Sequence, residues 1–167
     1  VFDPFMDDTK AKNLGVKKVT LQELMQLSDF ITIHCPLNEN TRNLISHNEL
    51  DLMKSTSFII NTARGGIINE DALFEVLSQK KIAGAALDCF DDEPVLEPNR
   101  FCKLDNVILA PHSIAWTQEL FRDMGEKCSQ HMIDLSNGIR PQGVINPEVF
   151  EKPTFQKKWN SINGERK

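Results

Sequence analysis

Arg64, Glu93 and His112 are the residues of this chain whose types and placement suit chemistry. Each follows a short apolar run. Residues 57–61 lead into Asn61-Thr62-Ala63-Arg64-Gly65-Gly66, residues 83–87 lead towards Asp91-Asp92-Glu93-Pro94, and residues 107–110 lead into Pro111-His112. A guanidinium is a planar, permanently charged fork that grips a carboxylate or a carbonyl oxygen with paired hydrogen bonds. An imidazole moves protons near neutral pH, and a carboxylate beside it favours its charged form. The set therefore amounts to an anion clamp plus an acid/base pair. Apolar runs that end in such residues place them at the carboxyl edge of a sheet, where open α/β sheets bind their ligands.

The surrounding pattern supplies that sheet. Short apolar runs alternate with helical spacing, which is the mark of βαβ units and a parallel sheet. Strands are expected at 30–35, 57–61, 83–87 and 107–110, with Val1-Phe2 as the end of an earlier one. Ile31-Thr32-Ile33 and Phe58-Ile59-Ile60 are β-rich and short, as strands buried on both faces should be. Thr20-x-x-Glu23 and Ser46-x-x-Glu49 are capping boxes, and Asn69 caps a helix in which Leu73, Val76 and Leu77 share a face. A longer helix is expected over 117–136, ending at Asn137-Gly138. Its Leu120, Met124, Cys128, Met132 and Leu135 recur at helical spacing, so one side of it should be buried. Residues 152–167 are basic and weakly patterned and should fray.

Ordered motifs carry a resemblance. Phe2-Asp3-Pro4, Ile33-His34-Cys35-Pro36-Leu37 with Thr41, residues 61–68, Gly84-Ala85-Ala86-Leu87-Asp88 with Glu93-Pro94, and Ala110-Pro111-His112 occur in sequence over residues 1–148. Together they resemble the nicotinamide-binding domain of the D-isomer-specific 2-hydroxyacid dehydrogenases. The resemblance implies a Rossmann-like, doubly wound parallel α/β sheet, NAD as cofactor, and a small 2-hydroxyacid or 2-ketoacid substrate. It implies Arg64, Glu93 and His112 as catalytic residues. It implies Asp3, Cys35, Pro36, Thr41, Thr62, Ala63, Arg64, Asp88 and His112 as cofactor contacts, with Cys35 acting through its backbone. An acidic Asp3 at a strand end accepts from ribose hydroxyls and repels a 2′-phosphate, which favours NAD over NADP. Glu93 also argues for a hydroxyacid/ketoacid couple, because the formate dehydrogenases of the family resemble this pattern with an amide there. Trp116 reads either as an aromatic wall over the site or as core.

No Gly-x-Gly-x-x-Gly turn occurs in the sequence, although a dinucleotide fold opens with one. The expectation is therefore a sheet incomplete on its N-terminal side: the C-terminal part of an enzyme, with residues 1–138 in the NAD-binding domain and 139–167 as a tail returning towards a substrate domain. The alternatives are a dinucleotide-sensing module like the C-terminal binding protein corepressors, or an inert fragment.

Composition narrows the class. The 167 residues have the ordinary balance of a globular protein, 40% hydrophobic and 26% charged. Nineteen basic against 24 acidic side chains give a net charge of −5, so no nucleic-acid partner is expected. No apolar run approaches membrane-spanning length, and no membrane partner is expected. Cys35, Cys89, Cys102 and Cys128 lie in or beside apolar segments without C-x-x-C spacing, so they should be buried, reduced thiols in a cytoplasmic protein. No metal site is expected, and the family resemblance implies a homodimer.

Overall fold

The computed structural model describes residues 1–95 and 97–164. They form two compact units, Val1–Ile114 and Ala115–Lys167. The first contains α1 (Asp8–Asn13), α2 (Leu21–Leu27), β1 (Phe30–Ile33), α3 (His47–Leu50), β2 (Phe58–Asn61), α4 (Glu70–Ser78), β3 (Gly84–Leu87), a 3₁₀ turn over Arg100–Lys103, and β4 (Val107–Leu109).

Local chemistry sets where the helices start. Thr20 Oγ1 accepts from the Glu23 N–H at 3.1 Å while the Thr20 N–H donates to the Glu23 carboxylate at 2.8 Å. The Ser46 N–H donates to Glu49 at 3.0 Å, and Asn69 Oδ1 accepts from the Ala72 N–H at 2.9 Å. Each bond satisfies a backbone donor that a helix end would otherwise leave open.

The strands are parallel in the order β1-β2-β3-β4. Parallel neighbours joined by right-handed crossovers, taken in chain order, place every connecting helix on the same face. The burial follows this. Ile31, Ile33, Ile59, Ala85 and Leu87 point inward, against Leu73, Val76 and Leu77 of α4. Leu73 and Leu77 are 1% and 0% exposed, and each such side chain contributes about 1.5–3 kcal/mol. The alternate rows, Phe30/Phe58 and Thr32/Ile108, face outward, and the two phenylalanines stack with centroids 5.5 Å apart. The strands are thus buried on one face rather than on both. A doubly wound sheet needs a second series of crossovers running the other way from its first strand, and the described residues hold one series.

Val1-Phe2 forms no strand. The Val1 amine donates to the Lys17 carbonyl at 2.6 Å, and the Val1 carbonyl accepts from Val19 at 3.0 Å.

The second unit holds α5 (Gln118–Ser136), a 3₁₀ turn over Pro147–Glu151, and α6 (Pro153–Gly164). Thr117 caps α5, and Gly138 ends it with φ 75°. The apolar stripe of α5 is present, but none of the helix's residues is buried, and Met124 and Met132 are exposed. Periodicity gives a helix its apolar side; only a partner buries it. Residues 153–164 are helical rather than frayed, because Phe155 and Trp159, one turn apart, both pack against Phe150 at 5.2 and 5.7 Å. The expectation of fraying at 165–167 falls outside the described residues. No described helix is long and apolar enough to cross a membrane.

Candidate active site

The carboxyl edge of β2 carries Arg64. Asn61, 3% exposed, shapes the turn: its side-chain amide donates to the Arg64 carbonyl at 2.8 Å and its Oδ1 accepts from the Ala63 N–H at 3.0 Å. Arg64 is exposed, and its Nη1 bonds the neighbouring Ala63 carbonyl at 2.6 Å. Among the described residues no carboxylate lies within ion-pair distance of it. Most of its fork is left for an anion.

His112 and Glu93 meet beyond β4 and β3. His112 Nδ1 lies 2.7 Å from Glu93 Oε2, and the other Glu93 oxygen accepts from the Phe90 N–H at 2.9 Å. Burial alone would push the Glu93 carboxyl up. The hydrogen bonds from His112 and Phe90, with the charges of His112 and Arg64, outweigh it and hold the group below its ordinary value. A carboxylate in that state orients the ring through Nδ1 and leaves Nε2 for a reacting group.

The backbone around the histidine is shaped from below. Asp88, 5% exposed, accepts from the Ser113 and Ile114 N–H groups at 2.9 and 3.3 Å, turning the chain back on itself, and His112 takes φ 53°. The Glu93 loop is tied down as well. Glu70, at the start of α4, accepts from the Asp91 N–H at 2.7 Å. Burial first, then the charges of Asp91 and Asp92, raise the Glu70 carboxyl against that hydrogen bond and Arg100.

A groove of about 660 Å³ opens beside Arg64, lined by His34, Cys35, Pro36 and Leu37 after β1 and by Thr62, Ala63 and Arg64 after β2. It lies across the carboxyl ends of two parallel strands, where an extended ligand would sit. Burial raises the Cys35 thiol, keeping it neutral. Thr41 does not line the groove; its hydroxyl donates to the Pro36 carbonyl at 2.6 Å and accepts from the Asn38 N–H at 2.8 Å, fixing the loop that does. Asp3 also lies outside the lining and accepts from the Phe5 N–H at 2.8 Å. Trp116 is exposed and edge-on to Phe121 at 6.2 Å, so it is not core.

Three contributors escaped the sequence reading. Asn61 was legible in principle, since Asn after an apolar run commonly closes a turn through its side chain. Glu70 and Cys89 were not, because Glu70 meets Asp91 and Cys89 meets His112 only through the fold, across more than twenty residues of sequence. Cys89 is buried beneath the acid–base pair, whereas Cys102 and Cys128 are exposed, against the expectation of four buried thiols. Both sit on surface turns of helices whose apolar neighbours face elsewhere or lack cover.

Comparisons with known proteins give the family. Residues 1–113 match the model of the family described as D-isomer specific 2-hydroxyacid dehydrogenase, NAD binding domain. The chain is 36% identical over 157 residues to a glyoxylate reductase of Korarchaeum cryptofilum, covering 93% of this chain and 47% of the relative. It is 35% identical over 155 residues to a D-3-phosphoglycerate dehydrogenase of Archaeoglobus fulgidus, covering 93% of this chain and 29% of that one. Among solved structures, a D-lactate dehydrogenase with NAD+ from Lactobacillus jensenii superposes with a TM-score of 0.75 at 27% identity, over 86% of this chain and 47% of the other. The chain thus spans about half or less of the length of the relatives it matches. On the matched family and the four-stranded parallel sheet, this chain belongs to the D-isomer-specific 2-hydroxyacid dehydrogenases, with residues 1–113 matching their Rossmann-like NAD-binding domain.

Proposed function

We propose that this chain serves an NAD-dependent oxidoreductase that interconverts a D-2-hydroxyacid and its 2-ketoacid, with Arg64, Glu93 and His112 as the residues that act on substrate. The observation that carries the reading is the 2.7 Å contact between His112 and Glu93, beside an arginine that has no carboxylate partner among the described residues.

The groove after β1 and β2 suits the cofactor, being open to solvent and lined by the turns at Cys35-Pro36 and Thr62-Ala63. Asp3 would take the ribose hydroxyls with the carboxylate oxygen not used by Phe5, and Asp88 and Thr41 would support the site by holding the loops that touch it. NAD, when bound, supplies the hydride donor or acceptor. The protein's share is placement and charge. Arg64 grips the substrate carboxylate and polarises the carbonyl through its fork. His112 gives a proton to the carbonyl oxygen in reduction and takes it from the hydroxyl in oxidation. Glu93 holds the ring at Nδ1 and stabilises its charged form. Four unpaired cysteines support a reducing compartment, hence the cytoplasm, and a homodimer completes the proposal by likeness to the family.

The test is a fusion of this chain to the N-terminal portion of the Korarchaeum cryptofilum glyoxylate reductase, assayed with NADH and with NADPH against glyoxylate, pyruvate and other 2-ketoacids. NADH consumption dependent on a ketoacid is expected. A folded fusion that binds NADH but turns over no ketoacid would overturn the reading.

A further inference from the structure

Cys89 is 3% exposed and lies directly under the acid–base pair, with no part in the proton transfer. Its sulfur, a Glu93 carboxylate oxygen and a His112 ring nitrogen all lie within 4.8 Å of one another. We propose that Cys89, Glu93 and His112 form a binding site for a thiophilic divalent cation of the zinc type, and that its occupancy shuts down the acid–base pair. The second half rests on the proposed function; the first does not.

The donor set selects the ion. Thiolate, imidazole and carboxylate suit zinc and cadmium, whereas magnesium and calcium take oxygen ligands. Size agrees too. Zinc bonds of about 2.0–2.3 Å in a tetrahedron put ligand atoms roughly 3.5 Å apart. A largest separation of 4.8 Å then closes with side-chain shifts of roughly 1 Å. Three protein ligands leave the fourth position for water, and the part-exposed His112 and Glu93 open that position to solvent. Among the described residues no other three groups of this kind come together.

The exchange is redox-neutral. The cation arrives from solution, the Cys89 thiol releases its proton to water, the Nδ1 proton that His112 shares with Glu93 passes through solvent to Nε2 of the neutral ring, and three coordinate bonds replace the His112–Glu93 hydrogen bond. With the ring and the carboxylate both held by the cation, neither can serve a substrate proton. Zinc would therefore act here as an inhibitor, and Cys89 is the residue that turns a two-donor contact into a closed chelate.

Binding is read without turnover. The reduced chain is titrated with Cd²⁺ while the sulfur-to-cadmium charge-transfer absorption is followed, in a background where Cys35, Cys102 and Cys128 are serine. A saturable band at a single equivalent, reversed by Zn²⁺, is expected. Cys89→Val should abolish the band. His112→Ala should weaken affinity by more than the roughly 10–100-fold that losing an outer partner of a metal site costs. If the serine background does not fold, Cys89→Val in the unmodified chain should lower cadmium stoichiometry by one. No saturable band, or one indifferent to His112→Ala, overturns the site. In the fusion, zinc should inhibit ketoacid reduction, with inhibition relieved by chelator and absent in Cys89→Val relative to its own zinc-free rate. Saturable binding without inhibition rejects the shutdown while leaving the site and the proposed function standing.

Discussion

A methyl group added to Gly65 would stand 1.9 Å from the Phe90 carbonyl oxygen, so the Arg64 loop and the Glu93 loop run in direct backbone contact. The glycine is what lets a strand end bearing a cation approach a strand end bearing an acid. Gly65→Ala must push the two loops apart. Overpacking of this kind costs about 1–3 kcal/mol, occasionally more. Thermal unfolding of the chain should show the loss, and in the fusion kcat/KM for ketoacid should fall further than stability alone accounts for. Unchanged melting with unchanged activity would show that the loops move freely.

Arg64→Lys keeps the charge and removes the planar fork. In the fusion, kcat/KM for ketoacid should drop while NADH affinity changes little. Equal losses in both would place Arg64 in cofactor binding or in the fold.

Reduction of a ketoacid needs His112 charged, and oxidation of the hydroxyacid needs it neutral, so the two directions should show opposite pH limbs from one group. Glu93→Gln removes the carboxylate that holds Nδ1 while an amide can still orient the ring, so turnover should fall with part of the activity kept. His112→Asn should remove the limb and slow turnover by roughly 10²–10⁴-fold. A limb that survives in His112→Asn, or full activity in Glu93→Gln, contradicts the assignment.

Glu93 also predicts acid behaviour. Its carboxyl is held below the ordinary 4.5, and a group depressed on folding adds stability above its unfolded value that is lost as pH falls through the folded one. The stability advantage of wild type over Glu93→Gln should therefore persist down to pH 4.5 and disappear at lower pH. Chemical unfolding of both proteins across that range measures it, and an advantage already gone above pH 4.5 contradicts the depressed carboxyl.

The sequence holds no Gly-rich dinucleotide turn, the element that seats a pyrophosphate on a helix N-terminus. The chain by itself should bind NAD weakly and turn over nothing. Calorimetry showing micromolar affinity would contradict this.

What the sequence made legible was whatever is local. Capping boxes at Thr20 and Ser46, the cap at Asn69 and the short β-rich runs each act within a few residues, and all appear where expected. The meeting of Glu93 with His112 and the place of Arg64 at the end of β2 followed from motif order. Burial was not, because it depends on what lies opposite. The outward row of Phe30 and Phe58 and the stripe of α5 are as apolar as the covered residues of α4, yet they lack cover. Contacts that join distant segments, Glu70 to Asp91 and Asp88 to Ser113, leave no periodic trace either.

The left-handed backbone at His112 narrows the alphabet available to that position. Gly, Asn, Asp and His enter that region with least resistance, and other residues meet a penalty of about 1–2 kcal/mol. Of those four, only histidine titrates near neutral pH. Backbone geometry and proton chemistry thus converge on one residue type. If His112 moves the proton as proposed, asparagine or aspartate in its place would keep the loop's backbone shape while removing the group that titrates near neutral pH.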